Sequence, residues 1–253
     1  MKKFIQRAAV VMLAAALILS TAATAPATTW TVTSSAGYGT GTLRDAIGMA
    51  QNGDTIVFDP SLNGQTIDTW TNNPFSSPPE CIEIFNKDLT IVGPGASKLA
   101  ISGGGLHAFF VDAAQVTVSG LTIEGGGLFG GFDPGFDDGL GGAIINLGEL
   151  TLSDCIVSGS SAEYGGGGIY NAGTMTINNC MVADNNSPDG GGIYNSGAMV
   201  LSYSTVTGNT ANYGGGIFND TTGTLLLNNC NVSGNSQRKG KDIYNLGKVT
   251  KSK

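Results

Sequence analysis

The side chains of this 253-residue chain that could do chemistry fall into three groups. Asp133, Asp137 and Asp138 lie in the stretch Gly131-Phe132-Asp133-Pro134-Gly135-Phe136-Asp137-Asp138-Gly139, with Glu124 near them in sequence. Three carboxylates in a Gly-rich loop can ligate calcium, which takes oxygen ligands in flexible geometry. Two of the four carboxylates could instead serve as acid and nucleophile in glycoside hydrolysis, and a solvated acidic turn is the third reading. The second group is a column of aromatics at regular spacing, Tyr170, Tyr194, Phe218 and Tyr244, preceded by Ile145. Exposed aromatics so spaced can lie against sugar rings, or they can form a ladder that only stiffens a sheet. The third group is Cys155, Cys180 and Cys230, with Cys81 apart. The one histidine, His107 in Gly105-Leu106-His107-Ala108, reads as a structural residue.

What positions these residues is a repeat of about 24 residues. Gly141-Gly142-Ala143-Ile144-Ile145-Asn146 returns at 166–171, 190–195 and 214–219, and in degraded form as Gly240-Lys241-Asp242-Ile243-Tyr244-Asn245. Each asparagine is followed by a Gly-containing turn and an alternating run such as Met175-Thr176-Ile177. Then comes Cys155, Cys180, Ser204 or Cys230, and a second turn at Ser160, Asn185, Asn209 or Asn235. Strand-sized pieces between Gly/Asn turns, with no room for a helix, predict a coiled parallel sheet in which one period makes one rung. Equivalent residues then stack about 4.8 Å apart along the axis. Ile144, Ile169, Ile193, Ile217 and Ile243 are expected to face inward, and alternation turns the aromatic column outward. The asparagines are expected at corners, where they tolerate left-handed backbone and can bond amide to amide. Cysteines stacked at that spacing with parallel Cβ vectors are too far apart for a disulfide, which prefers about 3.8 Å between Cβ atoms. They are expected as packed thiols, and a straight ladder is a poor zinc tetrahedron.

Residues 1–27 read as an export signal: Lys2, Lys3 and Arg7, an apolar stretch over 8–19, and a small-residue cleavage signal ending at Ala25-Pro26-Ala27. The protein is therefore expected outside the cell or at its surface, with no transmembrane segment in the mature chain. Three of the 12 basic residues and none of the 19 acidic ones fall in this leader, so the remainder carries a net charge of −10. Nucleic acid is an unfavourable partner for such a surface. No Lys or Arg occurs between Lys98 and Arg238, whereas Arg238, Lys239, Lys241, Lys248, Lys251 and Lys253 crowd the far end. Charge there can keep an open sheet edge from pairing, or it can meet an acidic partner. After the leader, Thr42 can cap a helix carrying Leu43, Ala46, Ile47 and Ala50 on one face, with Asp45 as acceptor. A β-solenoid needs such a cap over its open end. Residues 28–65 are thus read as the cap, 66–140 as irregular rungs and 141–253 as regular rungs of one domain, all-β apart from the capping helix.

These residues resemble the right-handed parallel β-helix proteins of the pectin-lyase-like superfamily. Gly141-Gly142-Ala143-Ile144 is similar to the GGAI motif of bacterial polymorphic outer-membrane proteins, and Gly41-Thr42-Leu43-Arg44-Asp45-Ala46-Ile47 with Gly53-Asp54-Thr55-Ile56-Val57-Phe58 is similar to the cap of many exported β-helices. No run of amphipathic strands for a membrane barrel follows Asn245, so within that group the chain would be a passenger-like fragment or secreted relative. The resemblance implies that lyases of this fold use an Arg or Lys beside calcium, and its hydrolases a Gly-His-Gly and an Arg-x-Lys segment. Neither segment occurs here. The expectation is therefore a non-catalytic surface or extracellular module binding carbohydrate or a cell-surface partner through Tyr170, Tyr194, Phe218 and Tyr244. The alternative is a polysaccharide lyase or glycoside hydrolase using Glu124, Asp133, Asp137 and Asp138.

Overall fold

The computed structural model describes residues 26–69, 81–127, 139–239 and 241–252. Its strands form a nine-stranded sheet from Thr29–Val32 to Lys248–Ser252 and two seven-stranded sheets, every pairing parallel. One rung shows the unit. Ile169–Asn171 belongs to one seven-stranded sheet (the third sheet), Thr174–Asn178 to the nine-stranded one (the long sheet) and Met181–Ala183 to the other (the second sheet). The chain then turns and rejoins the third sheet at Ile193–Asn195. This is an all-parallel β-solenoid with one α-helix among the described residues, and parallel crossovers of this kind coil right-handed.

The inward ladder is the one expected. Ile144, Ile169, Ile193 and Ile217 pair in register and are fully buried. The long sheet alternates likewise, Leu150, Met175, Met199 and Leu225 stacking inward with Leu152, Ile177, Leu201 and Leu227. Each such side chain contributes about 1.5–3 kcal/mol by leaving water, and the core continues from Val32 to Leu227. Outward on the same sheet, Thr55, Thr90, Thr117, Thr151 and Thr176 form a column in register.

The corners differ in one respect from expectation. Asn146, Asn171, Asn195 and Asn219 are fully buried and end the strands of the third sheet, and their backbone is not left-handed. The left-handed positions precede the other ladder residues: Asp154, Asn179, Tyr203 and Asn229, at φ of 51–54°, stand before Cys155, Cys180, Ser204 and Cys230. Asp184 at φ 57° precedes Asn185, and glycines at 159, 208 and 234 precede Ser160, Asn209 and Asn235. The turn is made by one residue and the ladder bond by the next. A buried amide with both donor and acceptor suits the second task because the rung above presents the same amide. In the first ladder each Nδ2 donates to the Oδ1 one rung on, from Asn146 through Asn171, Asn195 and Asn219 to Asn245, every time at 2.7 Å. The register opposite Asn146 is Val111, which has no amide to offer, and Asn146 Oδ1 is accordingly a buried acceptor without a donor. In a second ladder Asn185 donates to Asn209 Oδ1 at 3.0 Å and Asn209 to Asn235 Oδ1 at 2.9 Å. It ends on a carboxylate, Asp242 Oδ1, 3.0 Å from Asn235 Nδ2.

No disulfide joins any of the four cysteines; Cys155 and Cys180 are buried and Cys81 and Cys230 partly so. Cys180 Sγ accepts from the Cys155 backbone N–H at 3.4 Å, and Ser204 Oγ takes the same place for Cys180 at 3.1 Å.

The helix forms where the sequence indicates. The helix Leu43–Met49 buries Leu43, Ala46 and Ile47; Thr42 Oγ1 accepts from the Asp45 backbone N–H at 3.2 Å, and Asp45 Oδ2 accepts from Gly41 N–H at 2.9 Å. Arg44 donates to the carbonyls of Cys81 and Thr69, and Lys87 to those of Ile47 and Gly48 at the helix C-terminus, a favourable place for a cation. The irregular rungs ahead of the repeat are built of short strands such as Ile82–Phe85 and Leu89–Val92. Among the described residues no helix is long and apolar enough to cross a membrane.

Candidate functional site

The outer face of the third sheet carries the aromatic column, because Ile169 and Asn171 point inward and the residue between them must point out. Identical register on successive rungs then sets ring upon ring. Tyr170 and Tyr194 stack at a centroid distance of 5.4 Å, Tyr194 and Phe218 at 4.9 Å, and Phe218 and Tyr244 at 5.3 Å, with interplanar angles of 22°, 8° and 24°. Both faces of Tyr194 and Phe218 are therefore spent on neighbouring rings, and edges and hydroxyls are what the middle of the column offers outward.

The column is also less open than alternation alone suggests. Tyr170, Tyr194 and Tyr244 are half-buried, while Ile145 and Phe218 are buried. The reason is a rim built by the chain just before each strand. Leu140, Gly165, Asp189 and Tyr213 bridge one another in parallel, and Tyr213 continues to Lys239 within the paired strands Thr210–Tyr213 and Ser236–Lys239. At Gly165 the rim lies directly on an aromatic: a Cβ there would stand 2.8 Å from Tyr194 Cδ2, so only glycine permits the approach. Tyr213 packs edge-on against Tyr244 at 5.2 Å, and Lys239 Nζ sits 5.8 Å from the Tyr213 ring centre.

Two carboxylates border this column. Tyr194 Oη donates to Asp220 Oδ2 at 2.9 Å, and Asp220 Oδ1 accepts from the Thr221 backbone N–H at 2.7 Å. Burial and then the bond to Asp220 push the Tyr194 phenol above its ordinary range. Asp189, on the rim, has its carboxyl raised by burial first and by the Asp220 charge second. Tyr194 is thus held by one ionisable neighbour and faces another, an arrangement able to donate to and accept from hydroxyl groups.

Neither Asp189 nor Asp220 was singled out from the sequence. Aligning the rungs on the inward isoleucine would have exposed them: four residues before it stand Leu140, Gly165, Asp189, Tyr213 and Lys239, and three after it Leu147, Ala172, Ser196, Asp220 and Leu246. Glu124 is half-buried on the second sheet, paired with Ser102 and Ser158, so it lies on a different sheet from the aromatic column. His107 is buried with Nδ1 3.3 Å from the Gly142 carbonyl. Asp133, Asp137 and Asp138, the residues named for calcium, lie outside the described residues. Among the described residues no three His, Cys, Asp or Glu side chains converge as metal ligands would. Compared with protein-family models, with curated proteins and with solved structures, the chain matches none.

Proposed function

We propose that the chain is an exported, non-catalytic β-solenoid that serves as an extracellular or surface binding module for polysaccharide. The observation that carries this reading is the outer column from Tyr170 to Tyr244, which repeats in register and is bordered at Tyr194 by Asp220 and Asp189. A surface that repeats every rung suits a ligand that is itself a repeating chain. Contact at the middle of the column would be made by hydroxyls, carboxylates and ring edges, since the faces of Tyr194 and Phe218 are stacked. The reading brings with it the kinship suggested by the GGAI-type repeats, to exported right-handed β-helix proteins of the pectin-lyase-like kind. Tyr194→Phe and Asp220→Asn test it, since each removes a polar group at the column and leaves the core untouched. Retention on immobilised polysaccharide should fall at least several-fold in both; retention equal to that of the unaltered chain would refute the assigned face.

One observation favours a second reading, glycoside hydrolysis. Burial and then the neighbouring Asp220 charge raise the Asp189 carboxyl, and a raised carboxylic acid near a second carboxylate is the pair that acid-assisted glycoside cleavage uses. Asp189→Asn should then abolish polysaccharide cleavage and leave retention intact.

A further inference from the structure

The chain begins its first strand on a buried carboxylate. Asp54 is 3% exposed, and its Oδ1 accepts the backbone N–H of Thr28 at 2.6 Å. Its Oδ2 accepts Trp30 Nε1 at 2.9 Å and the Gln51 backbone N–H at 2.8 Å. These bonds, with Gln51 first and Thr28 next, hold the Asp54 carboxyl below its ordinary range. The Lys87 ammonium, whose charge also reaches Asp54, donates to Ile47 and Gly48 carbonyls instead. Pro26, Ala27, Thr28 and Thr29 are all exposed, so the backbone just ahead of this contact is accessible.

Thr28 is also the residue that follows Ala25-Pro26-Ala27, where the small side chains at 25 and 27 meet the requirement of a leader peptidase. We propose that processing between Ala27 and Thr28 converts a hydrogen bond into an ion pair, the new α-ammonium of Thr28 docking on Asp54 and locking the first strand of the solenoid. In the step, water adds across the peptide bond under an export endopeptidase, Ala27 leaves with the carboxylate, and Thr28 keeps the amine, which takes up a proton. The donor atom already in place on Asp54 becomes the charged one. The proposal rests on the export reading, because the α-ammonium of Thr28 exists only once Ala27 has been removed.

Two measurements test it separately. The full chain is expressed in an exporting host and the recovered protein sequenced from its N-terminus. Thr28 is expected first, and any other first residue, or a retained leader, overturns the processing. The α-amine of protein starting at Thr28 is then titrated through its rate of acylation. An ammonium paired with a buried carboxylate is stable below the ordinary range of about 7.7–8.0 and gives up its proton only above it. Only the free amine is acylated, so at about pH 8 the reaction should be about tenfold slower than for an ordinary α-amine. Asp54→Asn should restore the ordinary rate. An ordinary rate in the unaltered protein overturns the ion pair whether or not the variant folds.

Discussion

Replacing Asn195 by valine and, separately, Asn146 by valine removes one amide from the same ladder at two places, and the costs should differ. Asn195 is fully buried; its Oδ1 takes Asn171 Nδ2 and its Nδ2 reaches Asn219 Oδ1, each at 2.7 Å, with longer contacts to the Gly197 and Thr224 carbonyls. Valine of similar size fills the space, so little cavity results. Asn219 Oδ1, however, loses its donor in the core, and a buried acceptor left alone costs about 1–3 kcal/mol beyond the lost bond itself. Asn146→Val also deprives a neighbour, Asn171 Oδ1, but it removes the acceptor on Asn146 that is already unpartnered. The orphan moves one rung and the number of orphans stays the same. The expected costs are about 3 kcal/mol for Asn195→Val and about 1 kcal/mol for Asn146→Val. At roughly 2–4 °C per kcal/mol for a chain of this size, the melting temperatures should differ by about 4–8 °C. Urea and thermal unfolding followed by circular dichroism read both numbers. Equal losses, or a larger loss at Asn146, would refute the directional ladder.

Three further outcomes follow from the same geometry. Gly167→Ala would drive its Cβ into the Gly191 and Asn186 carbonyls and should destabilise by about 3 kcal/mol or more, whereas Gly159→Ala, with φ +62° and open space around it, should lose only about 1 kcal/mol; thermal unfolding of the pair checks this. Cys180, its thiol pushed up by the bond it shares with Cys155 and by burial, should stay unalkylated in the native protein and react only on unfolding, and Cys180→Ser should be mild because Ser204 already fills the same ladder place; a thiol count with and without denaturant decides it. Asp189 and Asp54 should show opposite pH dependences. A raised carboxyl contributes stability that is present below the ordinary Asp range and lost as pH rises through the folded value, so Asp189→Asn should stabilise at about pH 7 and be neutral at about pH 3. A lowered one contributes above that range and loses it on acidification, so Asp54→Asn should destabilise at about pH 7, with the gap closing in acid. Unfolding midpoints across that range would show either sign reversed.

The repeat made the inward column legible, because a residue that returns every 24 to 26 positions as isoleucine must meet itself on each rung. The stacking of Tyr194 on Phe218 follows from the same register. How far those rings are covered did not, because the covering rim lies five residues upstream of them and varies from leucine to glycine to aspartate to tyrosine. The division of labour at the corners was hidden for a related reason: Asn179 and Cys180 are neighbours, and only backbone geometry shows that the first makes the turn and the second the ladder contact. Asp189 and Asp220 each occur once in their columns, so periodicity draws no attention to them. The contact of Asp54 with Thr28 joins residues 26 apart across the capping helix, and no pattern in the chain announces it.

The most direct measurement of the central claim is to incubate the protein with a panel of neutral and acidic polysaccharides, with and without calcium, reading retention and release of new reducing ends together. Retention without release, lost in Tyr194→Phe and Asp220→Asn, is the predicted result. Release of reducing ends, or no retention on any member of the panel, would contradict it.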